Sequence, residues 1–188
     1  MSSSLPLPTA PYTAVARYLH WTLALALVGV FSVGFYMADL PFSPLRLKLY
    51  SWHKWAGITI LSLSVLRLLW RLTHRPPALP AQMLKATPAW QQTAYAATHH
   101  LFYLLFLAVP LLGWAYTSAA GFPVVLFGVW QLPDFVPASK DLAEMIKPLH
   151  GLSAYSLAAL VLLHVAAALK HQFFDRDGLI SRMLPGRG

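Results

Sequence analysis

The chain has no cysteine. Disulfides, thiolate zinc sites, iron–sulfur clusters and thioether-attached haem are therefore excluded. Charge is scarce too: 11% of the 188 residues are charged, against about a quarter in a soluble domain. Acids are the rarer sign, six against fourteen lysines and arginines, which leaves a formal net charge of +8. A nucleic-acid surface gathers its cations on one polar face. Here most of them flank apolar segments, so no nucleic-acid partner is expected. There is no internal repeat and no low-complexity tract. The first charge is Arg17, so no positive region precedes the opening apolar run and a cleaved signal peptide is not expected.

Hydrophobic residues, by contrast, make up 57% of the chain. A bilayer core of about 30 Å takes roughly 20 apolar residues per helix. Four segments meet that requirement, at about residues 14–37, 52–72, 93–117 and 147–172. Pro41 and Pro44 punctuate the first connection, and Pro76, Pro77, Pro80 and Pro88 the second. Pro110 falls inside the third segment, where a kink is expected. The expected fold is an all-α membrane protein: one domain over residues 1–188, a four-transmembrane-helix bundle.

The cations set the expected orientation. Arg17, Arg67, Arg71, Arg75, Lys85, Lys170, Arg176, Arg182 and Arg187 fall on the side that holds both termini and the second loop. Arg46, Lys48, Lys54, Lys140 and Lys147 fall on the other. Nine against five places both termini in the cytoplasm. The loop over 118–146 then lies outside, and its apolar run from Phe122 to Trp130 is too short to span. That run is expected at the membrane interface.

Within this frame four histidines stand out, because a polar ring in an apolar segment needs a partner. His53 and His150 sit at the outer level; His20 and His164 sit at the cytoplasmic level. His150 and His164 are fourteen residues apart, a rise of about 21 Å and close to four turns, so both rings leave nearly one face. The expectation is two bis-imidazole haem sites, His53 with His150 and His20 with His164. Two axial imidazoles leave iron no open position, so such a centre moves single electrons. Zinc wants four ligands converging on one point, which two separated levels do not provide.

Other residues gather around these pairs. Arg67 lies at the depth of the cytoplasmic-level pair and is a candidate partner for a haem propionate; Arg71, one turn on, is expected to snorkel. His99 and His100 enter the third segment at the cytoplasmic level, as alternative ligands or as groups that contact a quinone or a ligand. His171 follows His164 by two turns, towards the rim, where it suits a hydrogen bond or a proton for a quinone carbonyl. His74 reads as a solvated loop residue. Gly29, Gly34, Gly57, Gly113 and Gly151 are places where a macrocycle or a helix can come close. The tryptophans read as interface belts.

Several motifs carry a family resemblance. They are Tyr18-Leu19-His20-Trp21, His53-x-x-x-Gly57, Arg67-Leu68-Leu69-Trp70-Arg71, and Tyr103-Leu104-Leu105-Phe106-x-x-x-Pro110-x-x-Gly113. His150 and His164-x-Ala166-Ala167-Ala168-Leu169-x-His171 complete the set. Together they resemble the bacterial cytochrome b561 family of small four-helix dihaem b cytochromes, over nearly the whole chain from Pro11. The resemblance implies His20, His53, His150 and His164 as haem iron ligands, two haem b and a quinone acceptor. Length and layout are similar to the superoxide oxidase branch, which implies an oxidoreductase that takes electrons from periplasmic superoxide and reduces ubiquinone. Lys54 and Lys147 are then candidate cations at the superoxide entrance, although the outer side carries only these five cations against Asp39, Asp134, Asp141 and Glu144. The alternative the family offers is a haem-b membrane anchor that carries electrons for a redox partner protein, a dehydrogenase.

Overall fold

The computed structural model describes residues 10–79, 84–85 and 87–184. Pro80 and Arg187 lie outside the described residues. Four helices carry the fold: α1 (Ala14–Ala38), α2 (Pro44–Thr73), α3 (Ala89–Ala119) and α4 (Lys140–Lys170). Each is long and apolar enough to cross a bilayer. The bundle expected from hydropathy is the fold observed.

Three helices begin ahead of their apolar segments, α3 by one turn at Ala89 and two others by more. α2 starts at Pro44 and α4 at Lys140, each behind a serine cap: Ser43 accepts from the Arg46 amide and Ser139 from the Leu142 amide. A capped first turn holds a helix together whether or not its residues are apolar. These extensions therefore carry Arg46 and Lys48, or Asp141 and Glu144, beyond the apolar stretch. His53 and His150 consequently lie well inside their helices rather than at the mouths. Thr13 caps α1 in the same way. Pro110 sits within a continuous α3, and Pro148 within α4.

Helix packing is uneven. α3 packs on α4, α1 on α2, and α2 on α3. Phe102, Leu105 and Phe106 of α3 close on Leu157 of α4, and Ala115 and Ala119 close on Ala143 and Ile146. α1 and α4 meet chiefly through side chains, as in the edge contact of Phe31 with Tyr155 at 5.8 Å. Much of each helix stays exposed, with Leu25, Leu72 and Leu162 among the open residues. Such faces suit lipid, which solvates apolar side chains as well as a core does.

An irregular segment closes each end of the bundle. After α3 a short hairpin pairs β1 (Val125–Leu126) with β2 (Trp130–Gln131). Its turn holds Phe127 and Gly128 at positive φ, a conformation that glycine adopts without strain. This is the stretch expected at the interface; Phe122, Phe127 and Trp130 are exposed on it, and Val124 is buried. At the other end α4 runs into a π-helical turn (His171–Asp175) and a 3-10 turn (Ile180–Arg182). Arg182, buried there, donates to the carbonyls of Ala10, Pro77 and Ala78, and the Arg182 carbonyl accepts from the Tyr12 amide. The first and last described residues and the second loop thus meet at one end, called the terminal end below; the other is the hairpin end.

Candidate functional site

The residues beside the key histidines fasten both closures. Lys54 donates to the carbonyls of Phe122 and Pro123, at 3.5 and 3.1 Å, and the Trp55 indole donates to Val125. Arg17 donates to Leu184, and the Trp21 indole to Met183 at 2.8 Å. In each case one cation and one indole, within three residues of a histidine in sequence, satisfy carbonyls of a segment that lacks regular pairing.

Beneath the closures the histidines form two pairs. His53 and His150 have ring centres 6.2 Å apart with planes at 88°. His20 and His164 have ring centres 6.3 Å apart with planes at 66°. The first pair bridges α2 and α4, the second α1 and α4. Neither helix pair is among the close backbone contacts, and the histidines of each meet across their helices by side chain. A metal held by two opposed imidazoles, with bonds of about 2.0 Å, separates the ring centres by about 6 Å. Both pairs fit that spacing.

The surroundings of the pairs differ. His53 Nδ1 lies 3.1 Å from the Val30 carbonyl, and His150 Nδ1 lies 2.9 Å from the Val109 carbonyl. A carbonyl only accepts, so both Nδ1 atoms carry the proton and both Nε2 lone pairs are free. A cavity of about 350 Å³ opens beside His53, with Trp52, Trp55 and Phe127 in its wall. At the terminal end the His20 Nδ1 faces the Arg67 guanidinium at 3.1 Å. His164 touches the rings of His20, His99 and Phe102.

Among the described residues three orphaned donors add to this picture. The helix hydroxyls of Ser32, Ser51, Thr59, Ser62 and Ser156 all bond back to the carbonyl four residues earlier. Ser64 and Ser118 are each 2% exposed and have no partner for Oγ; the buried Trp114 indole nitrogen has none either. A buried donor without an acceptor costs about 1–3 kcal/mol. Ser64 lies on the helix of His53 and Arg67, and Trp114 and Ser118 lie one turn apart on α3. Polar atoms in such places fit a protein that surrounds a group with acceptors of its own.

The remaining candidates fall out as follows. His99 has its ring centre 6.1 Å from that of His164 and donates from Nδ1 to Tyr95, within its own helix. His100 likewise bonds Ala96 and is exposed. His74 is exposed but stacks on Trp70 with ring centres 3.6 Å apart. Arg71 is exposed, as expected of a snorkelling cation. Lys147 is exposed at the edge of an open cavity of about 550 Å³ between the ends of α3 and α4. Lys54 is half-buried under the hairpin, so it has a structural task besides its charge.

Sequence reasoning missed two acids. His171 Nδ1 lies 2.6 Å from Asp177 Oδ2 and 3.0 Å from Asp175 Oδ2, and Lys170 pairs with Asp175. His171, Asp175 and Asp177 are the one group of potential metal ligands that converges among the described residues. The Lys170 ammonium already occupies Asp175, so the cluster reads as an ion-pair network. Its signal in the sequence was plain: Asp175 and Asp177 are the only acids on the cytoplasmic side of the expected topology.

Comparison with known proteins points to one family. The family model described as prokaryotic cytochrome b561 matches residues 11–186. Cytochrome b561 homolog 2 of Escherichia coli is 30% identical over 92% of this chain and 90% of its own length. Cytochrome b561 homolog 1 of the same organism is 29% identical over 90% of this chain and 94% of its own. A Yersinia pestis protein named probable superoxide oxidase CybB is 31% identical, covering 93% of this chain and 96% of its own.

Proposed function

The chain belongs to the prokaryotic cytochrome b561 family, multi-pass bacterial membrane proteins with haem b, and from that premise we propose that it oxidises superoxide at the outer face of the inner membrane and reduces ubiquinone at the cytoplasmic face. The observation that carries the reading is the pair of matched imidazole separations, 6.2 and 6.3 Å, at opposite ends of one bundle. His53 with His150, and His20 with His164, hold one haem b each. Haem so ligated supplies reversible one-electron chemistry at two depths.

His20, rather than His99, partners His164, although both rings are near enough. The reason is room: α3 is packed onto α4 at Phe102, Phe106 and Leu157, whereas α1 meets α4 through side chains. Arg67 acts on the same site. A guanidinium only donates, so facing it His20 must accept at Nδ1 and protonate Nε2. Ligation through Nε2 needs the opposite tautomer. The guanidinium then turns to another acceptor, and a propionate carboxylate matches its fork.

At the terminal end, in the cytoplasm, His171 holds a proton at Nδ1 against Asp177 and Asp175 and presents Nε2 to a quinone carbonyl, with His99 and His100 on the neighbouring helix. Two superoxide anions lose one electron each and leave as oxygen; one ubiquinone takes both electrons with two protons. At the hairpin end Lys54 and Lys147 draw in the anion. The name carried by the Yersinia pestis relative supports superoxide as donor.

Rapid mixing of the purified, oxidised protein with superoxide tests the reading. Fast appearance of reduced haem bands, followed by reoxidation when ubiquinone is present, is expected. Slow or absent reduction would rule out superoxide as donor and leave an electron carrier for a partner dehydrogenase.

A further inference from the structure

Why the hairpin-end histidines reach backbone carbonyls at all is a question of helix geometry. Inside an α-helix the carbonyl of residue n bonds the amide of residue n+4 and keeps a second lone pair. Each Cα–Cβ bond leans towards the helix N-terminus, so the side chain at n+4 covers that lone pair. Val30 and Gly34 stand in this relation, and so do Val109 and Gly113. A Cβ on Gly34 would fall 2.8 Å from His53 Cε1 and 3.2 Å from its Nδ1. A Cβ on Gly113 would fall 3.0 Å from His150 Cε1 and 3.3 Å from its Nδ1. At Gly29, Gly57 and Gly151 the same atom meets nothing within 4 Å.

We propose that Gly34 and Gly113 are positioning residues for the hairpin-end haem: each bares one helix carbonyl to which a ligand histidine ties its Nδ1–H, and the two ties set the ligand planes at right angles. The proposal rests on His53 and His150 being iron ligands. Each ring is held by a different helix, α1 for His53 and α3 for His150, so their planes are fixed independently, at 88°. A carbonyl on Nδ1–H also makes the imidazole a stronger donor through Nε2, which favours ferric iron. The terminal-end pair has no such seat. Its His20 faces Arg67, no glycine lies within contact of either ring among the described residues, and its planes meet at 66°.

The test uses full-length protein carrying both haems, with Gly34→Ala, Gly113→Ala and His53→Ala compared. Readouts are haem content, the ferric low-spin EPR signals, which report the angle between axial ring planes, and the two midpoint potentials. In Gly34→Ala the hairpin-end centre is expected to shift its largest g value and rise in potential, or to lose its haem. The terminal-end centre, an internal standard, stays unchanged. Gly113→Ala, where the neighbour must yield only a few tenths of an ångström, is expected to keep both haems with a smaller shift of the same sign. Unchanged g values and potentials in both glycine variants would overturn the proposal. Retention of both haems in His53→Ala would instead overturn the ligand assignment beneath it.

Discussion

At the hairpin end both imidazoles lean on backbone, whereas at the terminal end one imidazole faces a guanidinium and the other a ring of aromatic edges. The separations are nearly the same, so the spacing needed to grip an iron does not dictate what lies behind the ligands. A backbone carbonyl is a fixed, neutral acceptor; it holds a ring in one tautomer and one plane. A buried cation instead favours whichever state adds negative charge, which is the reduced one. With a haem at each pair, as proposed, the hairpin-end centre would be tuned to give electrons up and the terminal-end centre to take them. In the proposed topology that gradient would run from the outer face towards quinone.

The sharpest break of this comparison removes one ligand at a time. His150→Ala is expected to lose the hairpin-end haem and keep the other, halving the haem measured per polypeptide. His20→Ala should do the reverse, while His99→Ala keeps both haems; a single haem in His99→Ala would move the terminal-end ligand from α1 to α3. A middling effect is expected from Arg67→Gln. Loss of its charge should lower the terminal-end potential by on the order of 1–2 kcal/mol, or roughly 40–90 mV for one electron. Redox titration should find the hairpin-end potential unmoved. The smallest effect belongs to Lys147→Gln, an exposed cation at the rim. Superoxide-driven reduction should slow by about twofold at low salt and recover parity at high salt, since exposed charges beyond a Debye length are screened. An equal loss at every ionic strength would mean that Lys147 does not act through its charge.

The two ends also differ in how far they could be read beforehand. Depth along four apolar segments put His53 beside His150 and His20 beside His164, because helical rise is a fixed length per residue. Apolar content marks where α2 and α4 become hydrophobic and not where they begin, since serine caps at Ser43 and Ser139 start each helix ahead of its apolar stretch. From the sequence, Lys54 is a candidate entrance charge. Its bonds to Phe122 and Pro123 join residues far apart in the chain, and no local pattern reports them. Val30 and Val109 were invisible for another reason: a carbonyl is the same in every residue. Only the glycine one turn later marks the exposed ones, and the repeat of Val-x-x-x-Gly was a signal available but unread.

The amino-acid sequence alone determined the apolar character of the chain, the number of long helices and which histidines share a level along them, because hydrophobicity and helical rise are properties of single segments. Tertiary structure decided what stands behind each ring. Carbonyl, guanidinium or carboxylate reaches an imidazole only once separate helices have been set side by side, with a rotation and offset that depend on all their contacts together.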